Sequence, residues 1–93
     1  MKLGTKTKQP GERRSYTINY IDAITSDDTV MTATLKTAPP VELVVDQITV
    51  ISPRVRFFVA GGTDGMSYKL TFVVVTNDGL TFEDEVTIKV KEQ

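Results

Sequence analysis

The sequence predicts an all-β domain in which two antiparallel sheets pack face to face. Three observations lead there. Most windows of the 93-residue chain alternate apolar and polar side chains with a period of two, the spacing that sends successive residues to opposite faces of a strand. No window of comparable length carries the 3.6-residue repeat of an amphipathic helix, although a single turn is expected near 22–26. Turn-forming groups, among them Ser26-Asp27-Asp28, Pro39-Pro40, Ser52-Pro53 and Asn77-Asp78-Gly79, cut the chain into six or seven short segments. A chain of this length divided in this way predicts an immunoglobulin-like sandwich, with a small barrel as the alternative.

Residues 1–13 are polar and basic and lack periodicity, so a flexible basic arm is expected ahead of one β-sandwich domain over 14–93. Tyr16, Ile18 and Tyr20 alternate with Thr17 and Asn19, which predicts a half-buried strand over 14–21. Ser26-Asp27-Asp28 supplies short polar side chains that bond a turning backbone. In 29–37, Met31, Ala33 and Leu35 take one face and Val30, Thr32 and Thr34 the other, residues that favour a pleated surface. Pro39-Pro40 interrupts any ladder. Leu43-Val44-Val45 and then Ile48, Val50 and Ile51 form either one bent strand or two.

The second half alternates more strictly. Val55, Phe57 and Val59 point inward and Arg54 and Arg56 outward, with Phe58 the one apolar side chain on the polar face. Over 67–76, Tyr68, Leu70, Phe72 and Val74 share a face, while Val73 and Val75 make the far half apolar on both sides. That double apolarity predicts a strand covered twice or meeting a partner. Over 80–90, Leu80, Phe82, Val86, Ile88 and Val90 point inward, and Asp84 is the single polar residue among them. Asn77-Asp78-Gly79 predicts a three-residue hairpin loop in which Gly79 takes the left-handed position. Gly61-Gly62-Thr63-Asp64-Gly65 is expected to close a second hairpin, between 54–60 and 67–76, with Tyr68 opening the next core strand. It is not a phosphate loop, which needs a helix after it and a lysine in register.

Composition narrows the chemistry. There is no cysteine and no histidine, which removes disulfides, thiolate sites, the usual general base and the commonest transition-metal ligand together. No catalytic residue, cofactor or metal ligand is expected. Asp27-Asp28 and Glu83-Asp84-Glu85 lack the spacing of a calcium loop, and strand alternation sends Asp84 away from the two glutamates. Residues 1–14 hold five basic side chains against Glu12 alone, whereas 15–93 hold six basic and eleven acidic ones. A basic segment without interleaved aromatics, ahead of an acidic body, points to protein rather than nucleic acid as its partner. No stretch approaches the ~20 apolar residues of a membrane span, and no apolar leader follows Lys2. The candidate protein-interface residues are Lys6, Lys8, Arg13 and Arg14 in the basic segment, with Phe58, Val73 and Val75 in the body.

Phe58–Thr71, with its Gly61-Gly62 pair, Gly65 and Tyr68, and Val75–Val90, with Thr76 and Gly79, resemble the small tailed-bacteriophage proteins called fibre–tail adaptors. Lys8–Glu12 leading into Tyr16–Ile21 is similar to that family's opening strand more loosely, and 26–53 carries no alignable motif. The resemblance implies an immunoglobulin-like, non-enzymatic virion component. It would sit at the tail in several copies, join tail and fibre proteins, act on no small molecule and assemble in the bacterial host cytoplasm. The readings set against it are a capsid decoration or head–tail completion protein, a bacterial immunoglobulin-like adhesion module, and an enzyme, for which a small sandwich offers little room.

Overall fold

The computed structural model describes residues 2–92 and resolves the alternating segments into seven strands: β1 (Lys2–Lys8), β2 (Arg13–Asn19), β3 (Val30–Leu35), β4 (Leu43–Ile51), β5 (Arg54–Gly61), β6 (Ser67–Thr76) and β7 (Thr81–Val90). They form a four-stranded sheet, β1-β7-β6-β3, and a three-stranded sheet, β2-β5-β4. Every pairing is antiparallel except β1 with β7. The inward residues of β5 (Val55, Phe57, Val59) meet those of β6 and β7 (Leu70, Phe72, Val74, Val86, Ile88, Val90) in a buried apolar core. At its centre the Phe57 and Phe72 rings lie 4.6 Å apart. Each such side chain contributes about 1.5–3 kcal/mol by leaving water.

The β6–β7 hairpin has the expected form, running from Ser67 opposite Lys89 to Val75 opposite Thr81, with Gly79 at φ 88°. The expected turn near 22–26 is present, closed by the Ala23 and Ile24 amides on the Tyr20 carbonyl. β4 is one strand, not two. It bulges between Asp46 and Thr49, where Gln47 takes a positive φ, and the bulge restores Ile48 and Val50 to the inner face.

Four expectations need correcting. Residues 2–8, within the segment expected to be aperiodic, form β1 and pair with the second half of β7; Met1 of that segment lies outside the described residues. The alternation was hidden because the residues opposite inward Ile88 and Val90 are Lys6 and Lys8. Second, β5 and β6 do not form a hairpin. They belong to different sheets, so the glycine loop carries the chain across the sandwich. Third, a bulge between Val30 and Thr32 shifts the phase of β3, burying Val30 and leaving Met31 exposed. Fourth, Leu80 belongs to the β6–β7 turn and is exposed.

Candidate interaction surfaces

The glycine crossover is a structural hub. Gly61, Gly62 and Gly65 hold φ of 76°, 96° and 85°, a region open mainly to glycine. A Cβ on Gly61 would overlap the Glu42 carbonyl oxygen, and one on Gly62 would meet the Val90 side chain at 2.7 Å. That close approach lets the Gly62 amide donate to the Glu42 carbonyl at 2.8 Å. The Tyr68 hydroxyl accepts from the Thr63 amide at 2.9 Å and donates to Glu42 Oε2 at 3.2 Å. Lys8 closes the hub from the other side. It is only 1% exposed, and its ammonium donates to the Gln9 carbonyl at 2.6 Å and the Gly61 carbonyl at 2.5 Å. Burial holds that ammonium below its ordinary pKa, with Glu12 partly opposing the shift. Lys8 is therefore committed inside the fold.

Of the remaining candidate interface residues, the fold brings Arg13 and Phe58 together. Both lie on the outer face of the three-stranded sheet, because β2 pairs with β5 in a register that sets Ser15 opposite Phe58 and Arg13 opposite Ala60. The Arg13 guanidinium lies 4.2 Å above the Phe58 ring centre and that of Arg56 lies 5.4 Å from it. Such stacking holds a flat cation in place over an aromatic face. Arg13 also donates to Asp46 on β4 at 3.2 Å. Around this stack stand Arg54 and the exposed Val44 and Ile51, so the face is basic and apolar together. Arg56, an outward-facing residue two positions before Phe58 on β5, shares its face by strand alternation, and Arg13 joins them through the register of β2.

The other candidates lie elsewhere. Val73 and Val75 sit half-buried on the outer face of the four-stranded sheet, between Thr34 and Glu83 and between Thr32 and Thr81. Lys36 and Glu83 pair on that face at 2.8 Å. Arg14 pairs with Glu12 at 3.3 Å beside the β1–β2 turn. Lys6 stands at the mouth of a groove between the edges of β1 and β2, floored by Ile18, Phe57 and Val86. Asn77 belongs to the β6–β7 turn, where its amide donates to the Thr29 carbonyl at 3.0 Å. The seven candidates thus divide among two opposite faces, one groove, the β1–β2 turn and the interior.

Two carboxylates are buried for structural ends. Asp84, 3% exposed, accepts a 2.5 Å hydrogen bond from the Tyr20 hydroxyl, linking the two sheets through the core. Burial and that bond push the Tyr20 hydroxyl far above its usual pKa, so it remains a donor throughout ordinary conditions. Asp28, 5% exposed, accepts through Oδ1 from the Thr29 and Asp78 amides at 2.8 and 3.0 Å, joining the β2–β3 loop to the β6–β7 turn. Burial raises its pKa, but the neighbouring Thr76 hydroxyl and these two amides outweigh burial and hold it below 3.8. Glu12 is lowered by the Gln9 amide, and Glu83 by Lys36.

These three carboxyls bind protons less readily folded than unfolded, which fixes the sign of the acid response. Their stabilisation is complete above about pH 4.5 and is lost as pH falls through the depressed folded values. Urea unfolding at pH 7, 5, 4 and 3 should therefore show a midpoint that declines below about pH 4.5. A midpoint that rises on acidification contradicts the assignment.

A family model described as podophage GP4 fiber-tail adaptor protein gp77 matches residues 8–89. The match includes 26–53, the stretch without a motif of its own. None of the curated proteins compared with the chain matches it.

Proposed function

The chain belongs to the podophage GP4 fiber-tail adaptor protein gp77 family, and from that premise we propose that it joins tail and fibre proteins by docking the outer face of its three-stranded sheet on one of them. Membership makes it a phage structural adaptor, of a kind whose place is the virion tail. The observation that supports a particular docking face is the stack of Arg13 and Arg56 on Phe58. Arginine and aromatic side chains dominate the residues whose loss costs an interface most. Here both guanidiniums already lie against the aromatic ring, at 4.2 and 5.4 Å from its centre, so a partner's carboxylates would meet donors held part-way in place before binding. Val44 and Ile51 extend the face with apolar area.

An adaptor also needs a second surface, and the Val73–Val75 side of the other sheet lies on the opposite face of the sandwich. Several copies acting together, assembled in the host cytoplasm before incorporation, complete this reading. Particles purified from phage carrying Arg56→Glu should contain at least about tenfold less of the chain, equivalent to about 1.4 kcal/mol of lost docking. The isolated domain should melt unchanged, since Arg56 is exposed. Val75→Lys should likewise weaken incorporation or assembly. Normal incorporation of Arg56→Glu removes this face from the interface; absence of the wild-type chain from particles, by mass spectrometry, refutes the adaptor reading.

A further inference from the structure

One end of the sandwich is chemically unlike the rest. The β2–β3 loop, the β4–β5 turn at Ser52-Pro53 and the β6–β7 turn converge there, joined by the Tyr20 amide on the Pro53 carbonyl at 2.9 Å and the Val30 amide on Ser52 Oγ at 3.1 Å. These loops carry Asp22, Asp27, Asp28 and Asp78 and no lysine or arginine. Between the first two lies a cavity with apolar walls of Ile21, Ile24 and Pro53, hydroxyl groups of Thr25 and Ser52, and Asp28 in its lining. Ile21 is 58% exposed at its rim. Asp28 Oδ1 is engaged by two amides and the Thr76 hydroxyl neighbours the carboxylate, but Oδ2, buried, makes no hydrogen bond of its own within 3.5 Å among the described residues.

A neutral apolar ligand would leave that oxygen as it is, and an anion would be repelled by four carboxylates. A long side chain that is apolar along its stem and cationic at its tip suits both the walls and the charge. We propose that this cavity receives a lysine or arginine side chain from a partner protein of the particle. It acts as an anchor site distinct from the basic sheet face. The proposal rests on the adaptor reading only for where the partner is found. The two surfaces carry opposite charge, so they select different partners, which is what a part joining two unlike proteins requires.

The test places a benzophenone amino acid at exposed Ser26, on the cavity lining, in phage whose particles are purified, irradiated and analysed by mass spectrometry alongside the total amount of the chain. The expected cross-link is to one segment of another virion protein, with a lysine or arginine at the captured position. Asp28→Asn keeps Oδ1 for the two amides and removes the charge. It and Ile21→Ser should each lower cross-link yield at least about fivefold, a loss of about 1 kcal/mol. Ile21 is exposed, so its replacement reads the site even where Asp28→Asn disturbs folding. A captured segment without a basic residue, capture of a second copy of this chain, or unchanged yield in the variants overturns the proposal. So does no capture although the chain is present. Particles that lack the chain altogether overturn the adaptor reading and this proposal with it.

Discussion

Gly61→Ala and Gly62→Ala are each expected to cost about 3 kcal/mol or more of folding stability, a large fraction of the about 5–15 kcal/mol that holds a domain folded. Two effects add. An alanine held at φ of 76° or 96° bears about 1–2 kcal/mol of backbone strain. Its Cβ must also displace a neighbour, at a cost of about 1–3 kcal/mol in a packed site. At Gly61 that neighbour is the Glu42 carbonyl, the acceptor of the Gly62 amide, so relief of the clash breaks a hydrogen bond. At Gly62 it is Val90, fully buried at the end of β7. Gly65 is the internal control: its φ is 85°, but nothing stands near its absent Cβ, so Gly65→Ala should bear only the strain. Urea midpoints ranked with Gly65→Ala well above the other two confirm the crossover; three equal losses contradict it.

Tyr20→Phe is the second large effect, at about 3 kcal/mol. The ring remains, stacked 5.5 Å from Phe82, but the hydroxyl that serves Asp84 is gone. The buried Asp84 carboxyl then loses the hydroxyl that serves it, and leaving a buried acceptor unsatisfied costs about 1–3 kcal/mol, more where the group is charged. Removing both partners should cost less than removing one. Tyr20→Phe combined with Asp84→Val, a β-branched residue suited to a strand, should be more stable than Tyr20→Phe alone. If the double variant is the weaker by the sum of the two single losses, the pair is not coupled as described. Far-ultraviolet circular dichroism against urea reads both outcomes.

These sites differ in how far they could be read from residues alone. The β6–β7 hairpin was legible because both of its arms alternate and Asn77-Asp78-Gly79 has the chemistry of its turn. Asp84 stood out for the same reason, as a polar residue in an inward phase, but its partner Tyr20 is 64 residues away and nothing local names it. β1 escaped because its inward residues include Lys8, whose aliphatic stem fills the core edge while its ammonium finds two carbonyls. The bulge in β3 could not be foreseen either, since one extra residue reverses every face assignment before it. The glycine loop was recognisable as a turn. Whether it joins two strands of one sheet or crosses between sheets depends on pairings set far from it in sequence, such as β2 with β5.

The interaction surfaces show the same division. Arg56 and Phe58 are two apart on β5 and share a face by alternation, whereas Arg13 joins them only through the register of β2. The acidic end is more hidden still, because its cavity is made by loops that alternation does not describe. In both cases the residue types were visible in the sequence, and the fold supplied their neighbours.

The account as a whole turns on where this domain sits and which face it turns to its neighbour. Cryo-electron microscopy of purified particles, at a resolution that separates strands, measures both at once. The expected result is a seven-stranded sandwich at the junction of tail and fibre, with the Arg13–Phe58–Arg56 face covered by another virion protein. Density for the domain on the capsid lattice, or at the tail with that face open to solvent, would contradict it.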